Sequence, residues 1–206
     1  MLKKSTAMIL VILMIAVLAA CGGASASSPT NAADTFLKAV KAQDTETVSK
    51  VYSGTFEGLV GEFESGGDEE YDALIEEELI PKLLDYDYEV SNEQIDEDTA
   101  TVDVALTTYD LGGAYSDFVE ELFQALISMQ TTDLTEDDIT EAGLSIFKDK
   151  LEGLTEKTYE AKVTISLTNT EEGWKVDSLD DDTTFINALS GGLLTASESL
   201  LGGYGG

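Results

Sequence analysis

Two stretches of strict two-residue alternation limit the folds open to this chain. In the first, Tyr86, Tyr88 and Val90 alternate with Asp87 and Glu89, and Asp96-Glu97-Asp98 forms a turn cluster. Beyond it, Ala100, Val102, Val104 and Leu106 alternate with Thr101, Asp103 and Thr107. In the second, Tyr159, Ala161, Val163, Ile165 and Leu167 alternate with Glu160, Lys162, Thr164, Ser166 and Thr168. Glu171-Glu172-Gly173 turns the chain, and Trp174, Val176 and Ser178 then alternate with Lys175 and Asp177. Successive strand side chains point to opposite faces, so each stretch predicts an antiparallel hairpin with one dry and one wet face. The phase slips between Asn92 and Ile95, which predicts a bulge that restores register.

Helical spacing fills the rest. Thr30 or Asn31 is placed to cap a first helix with Ala33, Phe36, Leu37 and Val40 on one stripe. Asp44 starts a shorter helix that turns Val48, Val51 and Tyr52 inward and ends at Gly54. Phe56, Leu59, Val60 and Phe63 repeat the spacing; Asp68, Glu69 and Glu70 then open a helix with Tyr71, Leu74, Ile75 and Leu79 as its stripe. Pro81 lacks an amide hydrogen and is expected to kink or end this helix near Ile80, with continuation for a turn through Lys82-Leu83-Leu84 as the alternative.

Residues 112–156 form an insertion between the hairpins. Gly112-Gly113 breaks the sheet, and Tyr115, Phe118, Val119, Leu122, Phe123, Leu126 and Ile127 make the longest helical stripe, for which core burial is expected ahead of the alternative, docking a partner. Thr135-Glu136-Asp137-Asp138 resembles a capping box and opens a second insertion helix carrying Ile139, Ile146, Phe147, Leu151 and Leu154. Asp180 to Thr184 caps a last helix from Phe185, with Ile186, Leu189, Leu193 and Leu200 interrupted by Gly191-Gly192. The order predicts an α+β fold: N-terminal helices packed on an antiparallel sheet, with a two-helix insertion between hairpins.

The amino terminus fixes the expected address. Lys3 and Lys4 precede an apolar run from Ala7 to Val17, and Leu18-Ala19-Ala20-Cys21 follows. A cationic start, a short apolar middle and small residues before a break have the form of a secretory signal. The run is short for a span of roughly 20 residues, and no lysine cluster follows it. The cysteine directly after Ala20 resembles the lipobox of bacterial lipoproteins. That resemblance implies cleavage between Ala20 and Cys21 and a diacylglyceryl group on the Cys21 thiol, enough for firm anchoring. Residues 1–20 are then the signal, 21–30 a Gly/Ala/Ser tether, 31–183 the folded domain, and 184–206 a C-terminal helix with a glycine-rich tail.

The opening Phe36-Leu37-Lys38-Ala39, followed by Asp44, resembles the first helix of the NTF2-like (cystatin-like) families. Gly173-Trp174-Lys175-Val176 is similar to their closing turn and strand. With the lipobox, the chain resembles Gram-positive lipoproteins of the DUF4878/DUF5105 group. The resemblance implies a cone-shaped fold whose concave sheet holds a small molecule or a partner, and it implies no fixed chemistry.

Composition removes several function classes. The chain has no histidine and no arginine, and Cys21 is its one cysteine. Histidine-based catalytic triads, cysteine metal sites, internal disulfides and bidentate arginine clamps on phosphate are therefore absent. With 41 acidic and 11 basic residues the net charge is −30, which disfavours nucleic acid and anionic headgroups. No catalytic motif and no cofactor signature is expected.

Four tyrosines, Tyr86, Tyr88, Tyr109 and Tyr159, lie on or beside the strands and are candidate pocket-lining residues, against a simpler role in cross-strand packing. Asp180-Asp181-Asp182, with Asp177, offers oxygen ligands for calcium but lacks the glycine and glutamate spacing of an EF-hand loop. A capping loop is the expected role, and Asp96-Glu97-Asp98 is read the same way. The expected function is a membrane-anchored, non-catalytic binding or scaffold module on the outer face of the cell membrane, held by its lipid. Its partner is a surface protein or a small ligand. The alternatives are a small-ligand carrier or enzyme using the cavity, and a subunit that pairs with itself through the insertion.

Overall fold

The computed structural model describes residues 28–60, 69–128 and 135–202. The signal, Ala20, Cys21, most of the tether, Phe63 and Asp68 lie outside them. Four strands form one antiparallel sheet in the order β1 (Asp87–Asp96), β2 (Thr99–Thr108), β3 (Tyr159–Thr170) and β4 (Gly173–Val176). Both hairpins therefore sit in a single meander. The expected bulge is present: the β1–β2 register shifts between Ser91 and Gln94, and Asn92 takes φ 53°.

Alternation sorts the two faces. Val102, Val104 and Leu106 of β2 and Val163, Ile165 and Leu167 of β3 are buried on the inner face, each contributing about 1.5–3 kcal/mol relative to exposure. The outer face is wet, and Asp103 there accepts hydrogen bonds from Asn92 and Thr164 and pairs with Lys162 at 2.8 Å. Those partners, Lys162 foremost, hold the Asp103 carboxyl well below the ordinary carboxylate range.

Helices α1 (Pro29–Lys41), α2 (Thr45–Val51) and α3 (Phe56–Val60) come first. Ser28, not Thr30 or Asn31, caps α1: its hydroxyl accepts from the Asn31 amide, and Pro29 fills the first turn, where no amide bond is lost. Asp44 caps α2 as expected, accepting from the Thr47 amide at 3.0 Å. The α1 stripe packs on β1, β2 and β4. Phe36 is fully buried, with its ring 4.8 Å from that of Tyr52 and 6.3 Å from that of Phe185. Trp174 is half-buried against this core.

The helix through Pro81 continues through Lys82-Leu83-Leu84, the alternative the sequence left open, by a route the sequence did not indicate. α4 (Glu69–Leu74) widens into a π turn (Ile75–Leu79) and resumes as α5 (Ile80–Leu84). The Ile80 amide bonds back to the Ile75 carbonyl, five residues earlier, and Pro81 follows in the first turn of the resumed segment. The widened turn lets the helix continue where a proline would otherwise stop it.

The insertion is α6 (Leu111–Ser128) and α7 (Glu136–Gly153), and the chain ends in α8 (Thr183–Leu189) and α9 (Leu193–Gly202). Gly112 and Gly113 lie inside the first turn of α6 instead of in a break between elements. The reason is packing. The Gly112 amide donates to the Gly191 carbonyl at 2.9 Å, and a Cβ on Gly112 would lie 2.6 Å from the Gly192 carbonyl oxygen. The capping box is formed, with Thr135 and Asp138 exchanging bonds. α8 packs on the inner face of the sheet beside α1, while α6 and α7 pack on each other, with α9 against α6 and α7 also against the π turn.

Two cores result. The larger lies between the sheet, α1, α2 and α8. The smaller joins Leu74, Ile75, Leu79, Leu83, Leu111 and Leu151, and Ile80 packs against both.

Candidate functional site: an acid-rimmed apolar cavity in the helical insertion

The long stripe of α6 is not core. Leu111 and Ala114 at its start are buried, but Phe123 and Ile127 are each 60% exposed, and Ile139 at the start of α7 is 40% exposed. Helical periodicity states that a face is apolar; it does not state what covers it.

Where α6 and α7 diverge from the helix through Pro81, they leave a cavity of about 370 Å³. The π turn supplies Ile75 and Leu79, with Tyr71 one turn earlier. Tyr115 and Phe118 come from α6, Leu144 and Phe147 from α7, and Leu193 from the start of α9. Phe118 and Phe147 meet at 5.1 Å with planes tilted by 56°, an edge-to-face pair that fixes α6 against α7. Tyr115 extends that contact at 6.1 Å from Phe118. Thr140 is the polar residue of the lining besides the two tyrosines, and Gly143 leaves its position open: a Cβ there would meet nothing within 4 Å. The volume and lining are those of small-molecule and side-chain pockets.

Two acidic grooves lie on the same helices. One, of about 400 Å³, runs between α4, the π turn and α7 and carries Glu70, Glu77, Glu78 and Glu141. It shares Leu144 with the cavity. The other, of about 270 Å³, carries Asp117, Glu120 and Glu121 of α6. Lys150 in this second groove pairs with Glu121 at 2.5 Å, and Lys148 in the first reaches Glu152 at 3.8 Å.

The four tyrosines singled out by sequence do not line this cavity. Tyr86 is fully buried in the larger core and donates to the Leu37 carbonyl at 2.7 Å; burial pushes its phenol well above the ordinary value. Tyr88 donates to Asp34 at 2.9 Å, and burial followed by that carboxylate raises it likewise. Tyr109 reaches Asp85 at 3.3 Å beneath the Lys82 ammonium, which lies 4.9 Å from its ring centre. Tyr159 accepts from the Asn187 amide at 3.3 Å. Each is occupied in holding elements together, the packing role weighed from the sequence.

The aspartate loop is divided in the same way. Asp180 accepts from Tyr52 at 2.5 Å and from the Thr55 amide at 3.2 Å. Asp182 caps α8 by accepting from the Thr184 and Phe185 amides, and Asp177 accepts from Thr168 at 2.8 Å. Among the described residues no three metal-ligating side chains converge. The turn residues Asp96 to Asp98 join β1 to β2, where Glu97 takes φ 55°.

Near the sheet end, Lys157 lies 2.9 Å from Asp85 and 3.2 Å from Asp87, and Lys41 is 3.2 Å from Asp85. Lys157 is desolvated, which lowers its affinity for a proton, but its two carboxylate partners outweigh that and raise it overall. Lys157, foremost, keeps Asp85 ionised below the ordinary range. This cluster locks β1 to the segment before β3.

Sequence reasoning found the aromatic members of the cavity, Tyr115, Phe118 and Phe147, as stripe positions. It missed their grouping, because the walls come from four segments far apart in the chain. Gly143 inside an otherwise regular helix was the available signal for an open wall.

No family model and no curated protein matches the sequence. Among solved structures, the fold is similar to that of a Bacillus subtilis protein, ycdA, named as a candidate lipoprotein, with a TM-score of 0.52 and 11% identity. The match covers 80% of this chain and 56% of the other, so this chain spans little more than half of that neighbour's length. The likeness is one of fold: a mixed α+β architecture with an antiparallel sheet.

Proposed function

We propose that this protein is a membrane-anchored extracytoplasmic lipoprotein that works as a non-catalytic binding module, with the insertion as its binding element. The apolar cavity between the insertion helices and the helix through Pro81 carries the binding part of this reading. Its walls are aliphatic and aromatic, suited to desolvating an apolar group. The lipobox-like run ending Ala20-Cys21 supports the anchoring part, together with a fold like that of a protein named as a candidate lipoprotein. Among the described residues no helix is long and apolar enough to cross a membrane; in this reading attachment through Cys21 supplies the membrane contact.

The meander covered on one face by N-terminal helices supports an NTF2-like (cystatin-like) assignment. In this chain Phe36, Tyr86 and Phe185 fill the inner sheet face that such a cone would leave open. The binding space has moved from the sheet to the insertion. A carrier of small apolar molecules is the second reading, favoured by the size of the same cavity.

Fractionation tests the anchor. Cys21→Ser is expected to abolish lipid mass on the mature amino terminus and to move the protein from the membrane to the medium. An unmodified Cys21 in the membrane-bound wild type refutes the reading.

A further inference from the structure

The exterior of the cavity says more about its occupant than its interior does. All nine lysines within the described residues already have partners. Lys38, Lys41, Lys50, Lys148, Lys150, Lys157, Lys162 and Lys175 sit on carboxylates, and Lys82 donates to the Leu154 carbonyl over the Tyr109 ring. By contrast Glu77, Glu78 and Glu141, in the groove that shares Leu144 with the cavity, have no lysine within ion-pair distance among the described residues. A groove that is apolar inside and bordered by uncompensated anions is complementary to an amphipathic cation. A second copy of this chain would bring a further net charge of −30 to the same place, and an anionic lipid headgroup would also be repelled.

We propose that the cavity and its rim take a cationic amphipathic peptide, with apolar side chains entering between the insertion helices and the π turn and lysine or arginine side chains meeting the glutamates outside. This rests on the binding-module reading and names the chemistry of the partner. Binding then has two separable parts: an apolar one that salt leaves intact, and an ionic one screened as ionic strength rises.

The test uses the full chain in nanodiscs of zwitterionic phosphatidylcholine, with empty discs subtracted. The probes are a fluorescent Leu/Lys peptide about four helical turns long, an oligolysine of equal charge, a Leu/Glu counterpart, and the neutral dye N-phenyl-1-naphthylamine. The Leu/Lys peptide is expected to bind at least about tenfold more tightly than oligolysine, and the Leu/Glu peptide not to bind. A Cβ at Gly143 would meet nothing within 4 Å and leucine is the better helix former, so Gly143→Leu is placed to fill the cavity. It is expected to remove binding of both peptide and dye. Combined Glu77→Gln, Glu78→Gln and Glu141→Gln is expected to weaken the Leu/Lys peptide several-fold and flatten its salt dependence while leaving the dye unchanged. Glu89→Gln, Glu160→Gln and Glu171→Gln, the same charge change on the sheet side, is expected to leave both unchanged.

Equal binding of oligolysine, or equal weakening by the sheet-side triple, would overturn the proposal in favour of diffuse acidity. A dimer that Gly143→Leu abolishes would assign the cavity to a second copy and overturn it too. If the dye binds and the Leu/Lys peptide does not, the peptide inference falls and the binding module stands. If neither binds, both fall.

Discussion

Phe36→Ala and Phe123→Ala make the same chemical change at two positions the structure treats oppositely. Phe36 is fully buried, stacked on Tyr52 at 4.8 Å and within 6.3 Å of Phe185. Truncating a buried phenylalanine costs about 3–5 kcal/mol, its aromatic contacts included. A loss of about 4 kcal/mol is therefore expected, a large share of the ~5–15 kcal/mol that holds an ordinary domain. Phe123 is 60% exposed, and full burial of such a side chain is worth only about 1.5–3 kcal/mol, so its truncation should cost under about 1 kcal/mol. Trp174, half-buried against the larger core, is the single tryptophan and reports unfolding directly. In urea, with a slope near 2 kcal/mol/M, the Phe36 variant should shift the midpoint by about 2 M and the Phe123 variant by well under ~0.5 M. Phe36→Leu, which keeps more of the volume, should fall between the two. Matching shifts for the two alanine variants would refute the assignment of core and exposed face.

Three further outcomes follow from named contacts. Asp182→Ala removes the acceptor for the Thr184 and Phe185 amides and should cost about 1 kcal/mol in urea unfolding, with Asp182→Asn costing less. Gly191→Ala should cost more than about 1 kcal/mol, because φ is +57° and a Cβ would lie 1.9 Å from the Tyr109 carbonyl oxygen; the melting temperature reads this out. Asp103 is held below its unfolded value by Lys162, Asn92 and Thr164, so its contribution is complete above the unfolded value near pH 4 and is lost as pH falls towards the folded one. Asp103→Asn should therefore lower stability at neutral pH and flatten the acid limb of the urea midpoint against pH, and an unchanged acid limb would contradict this.

Much of the meander was readable because period-two alternation carries its own check. Val102, Val104 and Leu106 are buried where their phase placed them, and the slip at Asn92 to Ile95 is the observed register shift. The α1 stripe and the Thr135–Asp138 capping box were readable because both depend on neighbours within one or two turns. What depended on distant chain was not. Gly112 reads as a breaker until Gly191 and Gly192 arrive beside it, nearly eighty residues later. Pro81 leaves kink, stop and continuation open until the helix widens ahead of it. The α6 stripe reads as core because sequence gives a face its polarity but not its cover.

The bulge in β1 has a consequence for neighbours. β4, at the other margin of the sheet, is bridged to Tyr52 and receives the Ser53 amide on the Val176 carbonyl, so part of it is sealed by its own chain. β1 is the other edge strand, with its ladder interrupted at Ser91 to Gln94 and Glu89 exposed along it, while Asp87 is paired with Lys157 and Glu93 accepts from Thr30. Under the proposed lipid attachment, many copies would share a two-dimensional layer at high local density, where strand-to-strand joining is most favoured. A kinked, negatively charged margin gives adjoining molecules no continuous template to extend, so crowding on the bilayer should leave this protein dispersed.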